Sequence, residues 1–188
     1  MKTKREQILD ISKNLKLSHI GSCLSVLPIL EEIYNKKKPE DKVILDNGHA
    51  HLAHLLYTKP GQEADLIKQY GIHCDRKAGC DSSGGSLGHG LGIGIGMALA
   101  HPDIKVYVVV SDGSMMEGSN WEALRIRNGL NLWNLEIHCN FNGFSAVAEV
   151  NRVLLMHRMS AFASYLYPHF TKNGSGFEGV AGHYLTLE

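Results

Sequence analysis

Two stretches decide the fold: Lys105-Val106-Tyr107-Val108-Val109-Val110-Ser111-Asp112-Gly113 and Leu135-Glu136-Ile137-His138-Cys139-Asn140-Phe141-Asn142-Gly143. Each opens on an apolar run of strand length and stops at polar and glycine residues, as buried strands do. Between them, residues 117–130 carry a helical pattern, with Trp121, Leu124 and Leu130 as expected core contacts, and residues 131–134 turn the chain. Strand, helix and strand in that order imply parallel pairing. The expected class is therefore α/β, an open, mostly parallel sheet flanked by helices.

Parallel strands lie about 5 Å apart, and the carboxyl ends of an open α/β sheet form its ligand crevice. Asp112 and Asn142 follow two such ends. A hard cation takes oxygen ligands, and Asp, Asn and a backbone carbonyl make a partial shell that phosphate oxygens and water commonly complete for Mg²⁺. Gly113 lets backbone approach a phosphate, and the helix start near Glu117 adds N–H donors. Taken singly, Asp-Gly is a turn and Asn-Gly a loop opener. Taken as a pair across one strand–helix–strand unit, they are equally well read as a metal-assisted diphosphate site.

Outward from this unit, residues 5–16 read as a helix, with Ile8, Leu9, Ile11 and Leu15 on one stripe. Residues 24–35 read as a second helix, ended by Lys36-Lys37-Lys38-Pro39. Val43-Ile44-Leu45 is a short strand, and helices follow at 49–57 and 62–69. Residues 71–90 are glycine-rich loop, and 91–100 end as helix. A loop that long in a compact domain is usually functional. A last helix is expected over 150–166, then an irregular tail with a short strand at Tyr184-Leu185-Thr186-Leu187. No repeat or linker divides the chain, so one domain is expected over 1–188.

Composition narrows the function. Hydrophobic residues are 44% and charged residues 20%, an ordinary globular balance. Lys+Arg and Asp+Glu are each 19, so the basic excess of a nucleic-acid binder is absent. No apolar run reaches bilayer length, and Met1-Lys2-Thr3-Lys4-Arg5-Glu6-Gln7 opens no secretory signal. Four dispersed cysteines read as free thiols, so a cytoplasmic location is expected. Cys74 and Cys80 beside His73 match no standard zinc spacing. Glycine, at 20, and histidine, at 11, are the unusual counts; they point to close backbone approach and to proton handling.

With those residues in view, the chain resembles the transketolase family of thiamine diphosphate enzymes. That family's cofactor motif is Gly-Asp-Gly followed some thirty positions later by Asn; here Ser111-Asp112-Gly113 and Asn142 stand in those places. Glu117-Gly118-Ser119-Asn120-Trp121-Glu122-Ala123 resembles its E-G-x-x-W-E-A, and Gly85-Ser86-Leu87-Gly88-His89-Gly90-Leu91 its G-S-L-G-[QH]-G-L. Asn47-Gly48-His49-Ala50 and Ser18-His19-Ile20-Gly21-Ser22 resemble S-x-G-H-A and G-H-x-G-S, and Lys172 to Tyr184 resembles a shortened tail motif. Departures are Ser111, Gly84, Asn140, Phe141 and the Ile72-His73-Cys74 context.

The resemblance implies a thiamine diphosphate-binding domain of the diphosphate-holding (PP) type. It implies that Asp112, Asn142 and the Phe144 carbonyl hold Mg²⁺, with Ca²⁺ or Mn²⁺ as possible substitutes. Gly113 and His49 would touch the diphosphate, and Gly85 and Leu87 would lie by the thiazolium. His19 and His73 would face the reacting sugar, His183 would reach the diphosphate or the substrate from the tail, and Glu117 would sit at a subunit interface near the aminopyrimidine end. The remaining histidines, among them His51, His54 and His138, are expected to be structural. The activity implied is transfer of a two-carbon ketol unit from a ketose, or ketose phosphate, to an aldose, or aldose phosphate. The family's second, pyrimidine-binding domain has no counterpart here, so the chain resembles the N-terminal subunit of a split transketolase. A C-terminal partner subunit would complete the site, as a dimer of such pairs, with residues 71–96 partly in the interface. Rival expectations are another thiamine diphosphate activity such as deoxyxylulose-phosphate synthesis, or a degenerate, non-catalytic subunit. A Rossmann-type nucleotide binder lacks its glycine pattern here.

Overall fold

A computed structural model describes residues 2–162, 166–174 and 176–188. Four strands form one sheet in the order β1-β2-β3-β4, every neighbour parallel: β1 Lys42–Leu45, β2 Val106–Ser111, β3 Leu135–Phe141 and β4 Leu166–Phe170. The expected strand–helix–strand unit is β2, α6 (Gly118–Leu130) and β3, with Ser111 in register with Asn140. Asp112 and Asn142 therefore emerge side by side at the same sheet end.

Helices cover both faces. α1 (Lys4–Leu15), α2 (Ile20–Lys36) and α3 (His51–Thr58) pack with Val43, Leu45, Tyr107 and Val109. α5 (Gly90–Ala100), α6 and α7 (Arg152–Ser160) pack with Ile44, Val106, Val108, Val110, Ile137 and Phe141. Alternate residues of β1 and β2 thus enter opposite cores, the period-two consequence of the pleat. α4 (Glu63–Tyr70) completes the first layer, and α8 (Gly179–Tyr184) brings the tail back over the start of α2.

The structure corrects several boundaries. α2 begins at Ile20 rather than 24, because the turn at His19, with φ of 62°, already starts the helix. The last expected helix stops at Ser160, residues 163–165 lie outside the described residues, and Leu166 opens β4 instead. The strand expected at 184–187 is not formed; α8 ends at Tyr184 and the chain continues extended without pairing. Leu130 is 46% exposed rather than core, whereas Leu124 is fully buried. Among the described residues, no helix is long and apolar enough to cross a membrane.

Candidate active site

The carboxyl ends of β1, β2 and β3 open into a cavity of about 180 Å³. It is lined by His19, His49, His73, His183, Gly85, Leu87, Gly113, Asn142 and Phe144, together with Ser22, Asn47, Asn140, Ser145 and Asn173. Segments from nearly the whole length of the chain therefore converge on one space.

The metal-type corner lies just beneath it. Asp112 is fully buried; its Oδ2 accepts from the Gly143 N–H at 2.7 Å, while Oδ1 has no hydrogen-bond partner. Burial raises the Asp112 carboxyl to about 6, against the pull of the N–H donors of Gly143 and its neighbours. Asn142 Oδ1 accepts from the Phe144 N–H at 2.9 Å, in a loop whose backbone N–H groups approach the Asp112 carboxylate. A buried carboxylate oxygen without a well-formed hydrogen bond, with the Asn142 amide oxygen in the loop that contacts the same carboxylate, suits a hard cation. The residues present therefore fit Mg²⁺.

Four histidines form the opposite wall. Ring centroids are 5.0 Å apart for His19 and His49, 4.4 Å for His19 and His183, and 6.1 Å for His19 and His73. Desolvation first, and mutual repulsion second, lowers His19 to about 4 and His49 to about 3; desolvation also lowers His73 and His183. All four are neutral near pH 7 and present one donor and one acceptor nitrogen each. His19 Nδ1 is buried without a partner, and the His19 N–H donates to the His183 carbonyl at 3.1 Å.

Local structure explains how the glycine-rich loop reaches this place. A Cβ on Gly48 would lie 1.9 Å from the Gly84 carbonyl oxygen, so only glycine admits the loop against the turn that carries His49. The Cys74 N–H donates to the Gly48 carbonyl at 2.9 Å, which fixes neighbouring His73. Asp46 then anchors the far end of the loop: its carboxylate accepts from Gly88 N–H at 3.0 Å, Gly90 N–H at 2.6 Å and Asn120 Nδ2 at 3.3 Å.

Of the residues singled out by sequence, all but two line the cavity. Asp112 sits beneath it, and Glu117 is exposed outside it, at the start of α6 and close to Gly88. Asn140 does not replace an aspartate as a free acid would: its Nδ2 donates to Ser25 Oγ at 2.9 Å and its Oδ1 accepts from Thr171. Sequence reasoning missed Asp46 and Asn47. Asn47 is 1% exposed with both amide atoms unpartnered at the cavity wall, and its position inside the Asn-Gly-His-Ala motif was the available signal.

Comparison with known proteins follows the same outline. A family model described as 1-deoxy-D-xylulose-5-phosphate synthase, N-terminal part, matches residues 2–173. The 6-deoxy-6-sulfo-D-fructose transketolase subunit SqwG of Clostridium sp. (strain MSTE9) is 31% identical over 165 residues, covering 73% of this chain and 59% of its own length. An apulose-4-phosphate transketolase subunit of Phocaeicola vulgatus is 25% identical over 209 residues, covering 98% of this chain and 74% of its own. Among solved structures, a transketolase variant from Pichia stipitis superposes with a TM-score of 0.71 at 18% identity, over 100% of this chain and 39% of that one; this likeness bears on the fold. The chain thus spans about three-fifths of the length of the Clostridium relative.

Proposed function

We propose, from the premise that the chain belongs to the 1-deoxy-D-xylulose-5-phosphate synthase N-terminal, transketolase-like domain family, that it is the diphosphate- and metal-holding half of a split transketolase. The observation that carries this is the convergence of the motif residues on one cavity, over an Asp112 oxygen that lacks a donor. Two relatives are named as transketolase subunits, which supports a partner chain for this one too. The cavity volume, about 180 Å³, is below the ~300–1,000 Å³ typical of a complete small-molecule site. That is in keeping with a site finished by a pyrimidine-binding subunit, in a dimer of such pairs.

Asp112, Asn142 and the Phe144 carbonyl would hold Mg²⁺. Gly113 and His49 would bind the diphosphate, with Gly85 and Leu87 against the ring. Thiamine diphosphate supplies, when bound, the nucleophile and electron sink for cleaving a C–C bond next to a carbonyl. Neutral His19, His73 and His183 would hydrogen-bond the sugar's hydroxyls and move protons at their ring nitrogens as charge develops. The reaction would pass a two-carbon ketol unit from a ketose phosphate to an aldose phosphate. Glu117 and the exposed face of Gly92 and Gly96, where an added Cβ would meet nothing within 4 Å, offer the partner a close-approach surface.

The test is calorimetry of thiamine diphosphate with Mg²⁺, on this chain alone and mixed with a candidate pyrimidine-domain subunit, then on Asp112→Ala. Binding that requires Mg²⁺ and Asp112 and tightens with the partner supports the reading. Absence of binding in every state sinks it and leaves a degenerate, non-catalytic subunit. A second reading, deoxyxylulose-phosphate synthesis, is favoured by the description of the matching family. Release of CO₂ from a 2-oxo acid by the complex, without ketol transfer between sugars, would select it.

A further inference from the structure

Behind the loop that carries His73 lies a second cluster, outside the cavity. His54, Cys74 and Cys80 are buried, and one ligand-type atom from each lies within 4.8 Å of the other two. Cys80 Sγ and His54 Nδ1 are 3.7 Å apart. Bonds of ~2.3 Å to sulfur and ~2.0 Å to nitrogen place the two atoms ~3.5 Å apart around a tetrahedral Zn²⁺. The far ring nitrogen of His54 is 2.7 Å from Tyr34 OH. If it donates there, Nδ1 is left as a lone pair facing Cys80, the outer-sphere arrangement that metal-bound imidazoles use.

His51 stands one helical turn before His54, on the same face of α3. It is fully buried, and neither ring nitrogen makes a well-formed hydrogen bond among the described residues. Side-chain interactions with Cys74, His51 and His54 converge on Cys80. An imidazole buried without well-formed hydrogen bonds is expensive, and a cation bound at one of its nitrogens would remove part of the cost.

We propose that Cys74, Cys80, His54 and His51 form a structural Zn²⁺ site that pins the 71–84 loop to α3. The zinc spacing considered from sequence paired the cysteines with His73, which faces the cavity instead; the helix, not the loop, supplies the imidazoles. The site would fix the segment between His73 and Gly84 from behind, without touching a substrate. It stands independently of the cofactor reading.

The test is zinc content of the full chain purified under reducing, anaerobic conditions, followed by replacement with Co²⁺. About one equivalent of metal and a thiolate-to-cobalt charge-transfer absorption are expected. Both should persist in Asp112→Ala and in Cys139→Ser, and fall at least tenfold in Cys74→Ser and in Cys80→Ser. Chelation should lower the melting temperature of the unmodified chain and of Asp112→Ala alike. A metal-free reduced chain with no cobalt absorption would overturn the proposal without any variant. So would unchanged absorption in both cysteine variants, or a Cys74–Cys80 disulfide persisting under reductant.

Discussion

Asp112 carries one oxygen satisfied by Gly143 and one that faces no donor. Its carboxyl, at about 6 in the folded chain, lies above the ordinary carboxylate value of 3.8. A carboxyl raised by folding costs stability once pH exceeds the unfolded value, and the full cost is present above about 6. Asp112→Asn should therefore abolish Mg²⁺-dependent thiamine diphosphate binding in calorimetry. At pH values well above 6, the metal-free variant should melt no lower than the unmodified chain, because the substitution removes that penalty. The same value sets a competition between proton and metal. Mg²⁺ affinity, titrated across pH, should weaken below about 6, approaching tenfold per unit. Asp112, Asn142, His19 and His49 were legible because each lies in a short motif whose residue types state their chemistry, whereas His73 stands outside the quoted motifs and His183 only in the shortened tail resemblance. Asp46 was not: its role is to receive N–H groups from Gly88 and Gly90, more than forty positions away, and no local pattern announces such a partner.

Elements reach the site through close backbone approach. The turn at Gly48 and the loop at Gly84 touch so tightly that Gly48→Ala must push them apart. Such overpacking should cost about 2 kcal/mol or more, read as a lower denaturation midpoint, and should displace His49 and His73 together, weakening cofactor binding as well. The β2–α6–β3 unit was readable because its strands are continuous apolar runs of the kind buried on both faces. β4 was not. Leu166-Tyr167-Pro168-His169-Phe170 follows directly on a helical pattern, and its Pro168 argues against a strand. As the last strand in the order it pairs on one side only, with β3, which is where a proline is tolerated. α8 falls mostly in the tail expected to be irregular, because its six residues include two glycines and carry no helical stripe; it forms where Gly182 lets it settle onto Phe177.

Across the whole molecule, histidines tie folding to pH. His19 and His138 are lowered to about 4 and His49 to about 3. In the unfolded chain they return toward 6.5, so as pH falls below that value the unfolded state takes up protons that the folded state refuses. Stability is therefore complete above about 6.5 and drains away toward 4, partly offset by Asp112, which prefers to be protonated when folded. Melting temperature measured from pH 8 downward should hold level and then drop through this window. His19→Gln together with His49→Gln should flatten the drop. The hydrogen bond from His19 to His183 has its own consequence, since it joins an early segment of the chain to a late one at the wall of the cavity. Whatever fills that cavity is gripped by both segments at once, like a hand closing a clasp. An occupant would therefore slow proteolysis of the two stretches of chain that lead away from it, without touching either.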